Sequence, residues 1–112
     1  MGSERRQRGS PLIVAPSALR DLQELYDYIA HDNPEAADLI SEQLWKGIWH
    51  VKSFPGSGHT RTDLAGKRQL RFWSVGRFLI VYRDTSTSIE IVAVLHGSRD
   101  IPAILREREP DE

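Results

Sequence analysis

The chain has 112 residues, no cysteine and a formal net charge of −1. This fits a single domain and excludes a disulfide framework, a thiolate metal site and a thiol nucleophile. Near-neutrality argues against a wholly basic nucleic-acid binder, no run is long and apolar enough to cross a bilayer, and no apolar signal segment follows the early arginines, so the sequence reads as cytoplasmic with no membrane partner.

Residues 1–10 show no apolar pattern and are expected to form a flexible tail, with one domain over 11–108 and a frayed end over 109–112. Leu12-Ile13-Val14, set between Pro11 and Pro16, predicts a short strand with proline tolerated at its ends. Ser17 is the expected N-cap of a helix from about Ala18 to His31, because Leu19, Leu22, Leu25, Tyr26 and Ile29 recur at steps of three and four. Asp32-Asn33-Pro34 ends that helix and starts another: Asn33 can cap, and Pro34 suits the first helical position. The second helix carries Ala37, Ile40, Leu44, Ile48 and Val51 on one face, with Trp45 and Trp49 widening it. The two helices form a hairpin that stops at the Phe54–Gly58 stretch.

His59 to Lys67 reads as a polar loop. Gln69 to Val75 alternates, with Leu70 and Phe72 on one side and Arg71 and Trp73 on the other. After a turn at Gly76, Phe78 to Tyr82 is apolar on both faces and predicts a central strand. Ile89 to Leu95 is a further strand, and Ile101 to Arg108 predicts a short C-terminal helix. The expected fold is therefore α+β in two layers, β-α-α-β-β-β, with a helical hairpin packed on a small antiparallel sheet.

The near-zero net charge conceals two opposed halves. From Ser17 to His50 seven acids face two bases, a net of −5; from Lys52 to Arg83 seven bases face only Asp63, a net of +6. Arginines number 12 against 3 lysines, and the guanidinium fork suits carboxylate, phosphate and interface contacts. The carboxylates of the helices are read as a solvated outer face.

Common chemical motifs are absent. No P-loop, no G-x-S-x-G elbow and no histidine pair at i, i+4 occurs, so neither metal nor cofactor is expected. One constellation remains: Arg61, Arg83, His96 and Arg99 could converge at an edge of the sheet, where two arginines and a histidine can hold a phosphodiester and move a proton. The competing reading pairs Arg83 and Arg99 with local acids such as Asp84 and Asp100 and lets His96 bond its own turn.

Taken together, Ser17-Ala18, Asp21-Leu22, Glu24 to Ala30, Asp32-Asn33-Pro34, Pro55, Gly58, Arg61, Asp63-Leu64, Val81-Tyr82-Arg83 and Val94 to Asp100 resemble, in order and spacing, the toxins of ParE type within the ParE/RelE toxin–antitoxin superfamily. The resemblance runs from about Leu12 to Leu105 and implies the fold derived above. It implies a growth-arresting toxin, neutralised in a hetero-oligomer by a cognate antitoxin whose disordered C-terminal segment wraps it. ParE-type members inhibit DNA gyrase; RelE-type members cut messenger RNA on the ribosome with a basic set and a C-terminal tyrosine or other acid–base group. No tyrosine follows the last strand here, which favours gyrase inhibition without chemistry of its own. The alternative is a ribosome-dependent endoribonuclease using Arg61, Arg83, His96 and Arg99. Tyr28, Trp45 and Trp49 are the expected antitoxin contacts, with core packing as their other reading; Arg71, Trp73, Arg77 and Arg99 are the target-binding candidates.

Overall fold

Pro16 decides where the first helix begins. Its fixed φ and missing N–H suit the first helical position, so α1 runs Pro16–Asp32 with Ala15 at the N-cap and no side-chain cap. Ser17 therefore lies inside the first turn, and Pro16 belongs to the helix. Asn33 caps α2 (Pro34–Ser53) as expected, its Oδ1 accepting from the Ala36 N–H at 3.1 Å. The computed structural model describes residues 10–109, and expectations placed on residues 1–9 and 110–112 lie outside these.

The remaining elements are β1 (Leu12–Val14), a 3-10 turn (Pro55–Ser57), β2 (His59–Thr60), α3 (Thr62–Ala65), β3 (Arg71–Val75), β4 (Phe78–Asp84), β5 (Ile89–His96) and α4 (Ile101–Arg108). The stretch expected as a polar loop thus supplies a strand and a helical turn, both too short to leave a periodic signal in the sequence. Strand order is β1-β5-β4-β3-β2. Strands β2 to β5 form an antiparallel meander, while β1 joins β5 in parallel, Leu12 opposite Ile89 and Val14 opposite Ile91. The sheet is mixed because a parallel pair needs a long crossover, and the hairpin and meander provide one.

The sheet buries both faces. The hairpin packs on one, where Ala18, Leu22, Leu44, Ile48 and Val51 meet Ile80, Tyr82, Ile91 and Val94. Gly47 lets α2 approach closely: a Cβ there would lie 2.7 Å from Val75 and 2.8 Å from Ile80. The other face carries a second cluster, in which α3 and α4 contribute Ala65, Ile101 and Leu105 against Phe72, Val81, Ala93 and Leu95. Pairing shifts between Val81 (opposite Ala93) and Tyr82 (opposite Ile91), so Val92 is an extra residue in β5. This bulge sends Val92 and Ala93 to the same face, which explains a run in β5 that is buried without strict alternation.

Asp21 departs from the solvated acidic face expected for α1. It is 9% exposed. Beyond Val14, β1 no longer covers the edge of β5, and Asp21 Oδ2 accepts the Val94 N–H there at 3.0 Å. Arg108, at the end of α4, donates to both carboxylate oxygens at 2.5 and 2.7 Å. One buried carboxylate thereby ties α1, β5 and α4 together. The Asp21 bond is the main reason that Arg108 is held above the ordinary arginine value.

Candidate functional site

The sheet register separates the four basic candidates into two pairs. Phe78 stands opposite His96, and Arg83 opposite Glu90, so His96 and Arg83 mark opposite ends of β4, roughly 17 Å apart at strand rise. Arg61 follows Thr60, which pairs with Arg71, which in turn pairs with Tyr82; it belongs to the Arg83 end. Arg99 follows the His96 end.

Arginines at the Arg83 end already have acceptors. Arg83 bonds Glu90 at 2.7 Å and also Glu109 just past α4, rather than Asp84. Arg68 donates to the backbone carbonyls of Ala65 and Glu109. Arg71 donates to the Gly58 carbonyl at 2.8 Å. Arg61 forks onto Asp63 at 3.0 and 2.8 Å, and this hydrogen bond raises the Arg61 pKa and lowers that of Asp63. Trp73, another target candidate, is half-buried and stacked on His50 with ring centroids 4.6 Å apart.

The other end is arranged differently. Gly97 N–H bonds the Arg77 carbonyl at 2.8 Å, joining the β3–β4 turn to the loop after β5. His96 Nδ1 takes the Ser98 backbone N–H at 3.0 Å and lies 2.7 Å from the Ser98 hydroxyl. An amide N–H can only donate, so Nδ1 is an acceptor and the neutral ring carries its proton on Nε2. Its flank lies edge-on to Phe78 at 5.3 Å. Asp100, rather than pairing with Arg99, caps α4 by accepting from Ala103 N–H at 3.2 Å. Arg77 and Arg99 are exposed and have no acidic partner among the described residues.

A groove of about 690 Å³ opens between these residues and α1. Its walls are Leu25, Tyr28 and Ile29 of α1, Ile40 of α2, and Phe78, Val94 and Leu95 of the sheet; Arg77, His96, Ser98 and Arg99 form the sheet-side rim, and Asp21 and Glu24 the helix side. An apolar trough with a cationic rim can bury apolar side chains and pair carboxylates at once. Of the three aromatic candidates, Tyr28 lines this groove and is 83% exposed. Trp45 lies on the other flank of α1 beside Leu19 and Leu22, packed against the core, and Trp49 one turn further on is 53% exposed.

Phe78 and Ser98 were not singled out from sequence. The two-residue spacing of His96 and Ser98 is a signal for a tight turn that returns a donor to the imidazole. Phe78 carried no signal beyond its apolar strand, since which strand end meets α1 is set by the whole topology.

The profile of the family described as "ParE toxin of type II toxin-antitoxin system, parDE" matches residues 12–101. Y4kP of Sinorhizobium fredii, provisionally named a toxin, is 30% identical over 88 residues, 79% of this chain and 88% of that protein. Among solved structures, the "Chromosomal ParDE TA system from P. aeruginosa" superposes with a TM-score of 0.67 at 18% identity, over 78% of this chain and 95% of that one, a likeness of fold. From the profile match across most of its length, the chain belongs to the ParE toxin family of type II toxin–antitoxin systems.

Proposed function

We propose that the chain arrests growth by inhibiting DNA gyrase, without bond-making chemistry of its own. The observation that carries this reading is the division of Arg61, Arg83, His96 and Arg99 between two ends of the sheet, with Arg61 and Arg83 already saturated by carboxylates. Of the four-residue set expected for ribonucleolysis, His96 therefore keeps only Arg99 beside it, with Arg77 on the same rim. Membership of the ParE family supports the gyrase reading over the ribosomal one.

The groove suits the cognate antitoxin. A disordered segment that folds on binding needs a large, mostly apolar surface to offset its ordering. Carboxylates on such a segment would pair with Arg77 and Arg99, and its apolar side chains would pack on Tyr28, Ile40 and Phe78. Trp45 and Trp49 lie outside this path.

Purified protein added to gyrase and relaxed plasmid is expected to block supercoiling or accumulate cleaved DNA, and added antitoxin to reverse it. Unaltered supercoiling at micromolar toxin, together with codon-phased messenger RNA cuts lost in His96→Ala, would overturn the reading.

A further inference from the structure

The helical hairpin has a second cleft, on the flank of α1 opposite the groove. Two adjoining cavities of about 560 and 310 Å³ run between α1 and α2 and share Tyr26 and Ser41. Tyr26 bridges the helices by donating to Asp38 Oδ1 at 2.6 Å. The cleft is graded along its length. Leu19, Leu22 and Trp45 line one end; Leu39 with Glu35, Asp38 and Glu42 lines the other, and no cation lines either cavity. Leu19 and Leu39 are 47% and 55% exposed, a substantial apolar exposure on the outside of a small domain.

We propose that this cleft docks an amphipathic helix of a second protein, with apolar anchors toward Trp45 and lysines or arginines toward Glu35 and Glu42. Three physical points select that occupant. From Glu35 to Trp45 the cleft spans about 15 Å, or about three helical turns, which matches anchors at i, i+4 and i+7 laid between two helices. Its carboxylate end repels an acidic segment, so the partner that pairs with Arg77 and Arg99 does not also fit here. A second copy of this chain, meeting through the same face, would set the carboxylates against carboxylates about a twofold axis along the cleft, or against Leu19 and Trp45 about an axis across it, and in neither case supplies them a cation from this face. The two flanks of α1 therefore take partners of opposite charge, and the toxin can hold both at once.

The test uses the full chain and two helical peptides of equal length, one built from leucine and lysine, the other from leucine and glutamate. Calorimetry and tryptophan emission should show saturable binding of the lysine peptide, weakened by added salt. Glu35 and Glu42 are exposed and have no bonded partner among the described residues, so the double variant Glu35→Lys, Glu42→Lys should fold normally and bind that peptide at least tenfold more weakly. Arg77→Glu with Arg99→Glu should leave its affinity unchanged, and the glutamate peptide should not displace it. Equal binding of both peptides, or indifference to the Glu35 and Glu42 reversal, would overturn the proposal. So would a concentration-dependent dimer that the same reversal abolishes, which would give the cleft to a second copy. None of these outcomes depends on the antitoxin occupying the other groove.

Discussion

Arg61, Arg71 and Arg83 gather at one end of the sheet, and Arg77 and Arg99 at the other. The first three spend their guanidinium groups on Asp63, the Gly58 carbonyl, Glu90 and Glu109. The last two end in solvent beside an apolar trough. The residue type is the same and the segment charge does not distinguish them. What differs is whether a neighbouring element brings an acceptor. The end where the chain folds back, with α3, α4 and the 3-10 turn nearby, supplies acceptors; at the end formed by the β3–β4 turn and the loop after β5, Asp100 is taken by the cap of α4 and no acid among the described residues pairs with Arg77 or Arg99.

The largest expected effect comes from Asp21, the buried fastening that lines the groove at the free-arginine end. Asp21→Ala strands Arg108 and frees the Val94 N–H, so urea denaturation should show a loss of about 3–5 kcal/mol, the scale for breaking one partner of a buried ion pair. A loss below about 1 kcal/mol would mean that α4 is not held there. Gly58→Ala comes next. Its Cβ would lie 2.6 Å from the Tyr82 hydroxyl, which itself donates to the Pro55 carbonyl at 2.6 Å and accepts the Gly58 N–H at 2.8 Å; overpacking of this kind costs about 1–3 kcal/mol.

Reversing the free arginines should act on binding alone. Arg77→Glu with Arg99→Glu is expected to weaken antitoxin affinity at least tenfold, measured by calorimetry, with the unfolding midpoint unmoved. A large fall in stability instead would show that these arginines belong with the structural set. Alkaline titration offers a smaller effect. Burial raises the Tyr82 pKa above the usual 10.0, so the folded state holds that proton longer than the unfolded chain. Stability from this group is full below pH 10 and is lost as pH rises through the raised folded-state value, and Tyr82→Phe should lessen the fall, Tyr26 also being held high by its bond to Asp38. Arg61→Ala should do least: an exposed pair with Asp63 leaves both midpoint and antitoxin affinity as they were.

Sequence carried the larger elements well. The apolar stripes of α1 and α2 are periodic, the Asn33-Pro34 junction is chemically specific, and the both-faced runs of β4 and β5 are long enough to be read directly. The parallel pairing of β1 was hidden because three residues state no direction. Strand β2 and helix α3 were hidden because their length is below one period. Asp21 looked like any acid on an amphipathic helix; its burial follows from a β5 edge exposed where β1 stops, a fact of the assembled sheet. For the candidate site, Arg77, Arg99, His96 and Tyr28 were legible as chemistry, but their separation from Arg61 and Arg83 was not. Register decides it, and a one-strand shift in reading would place them otherwise.

The Asp21–Arg108 bond also has a meaning in time. It closes across 87 residues of chain, so neither partner can hold the other until α4 has been made and has returned to the sheet. A nascent chain that already carries the hairpin and the meander but lacks α4 leaves α1 without this fastening and leaves part of the second apolar face of the sheet bare. The fold is thus completed late, by an element that follows every strand in the chain.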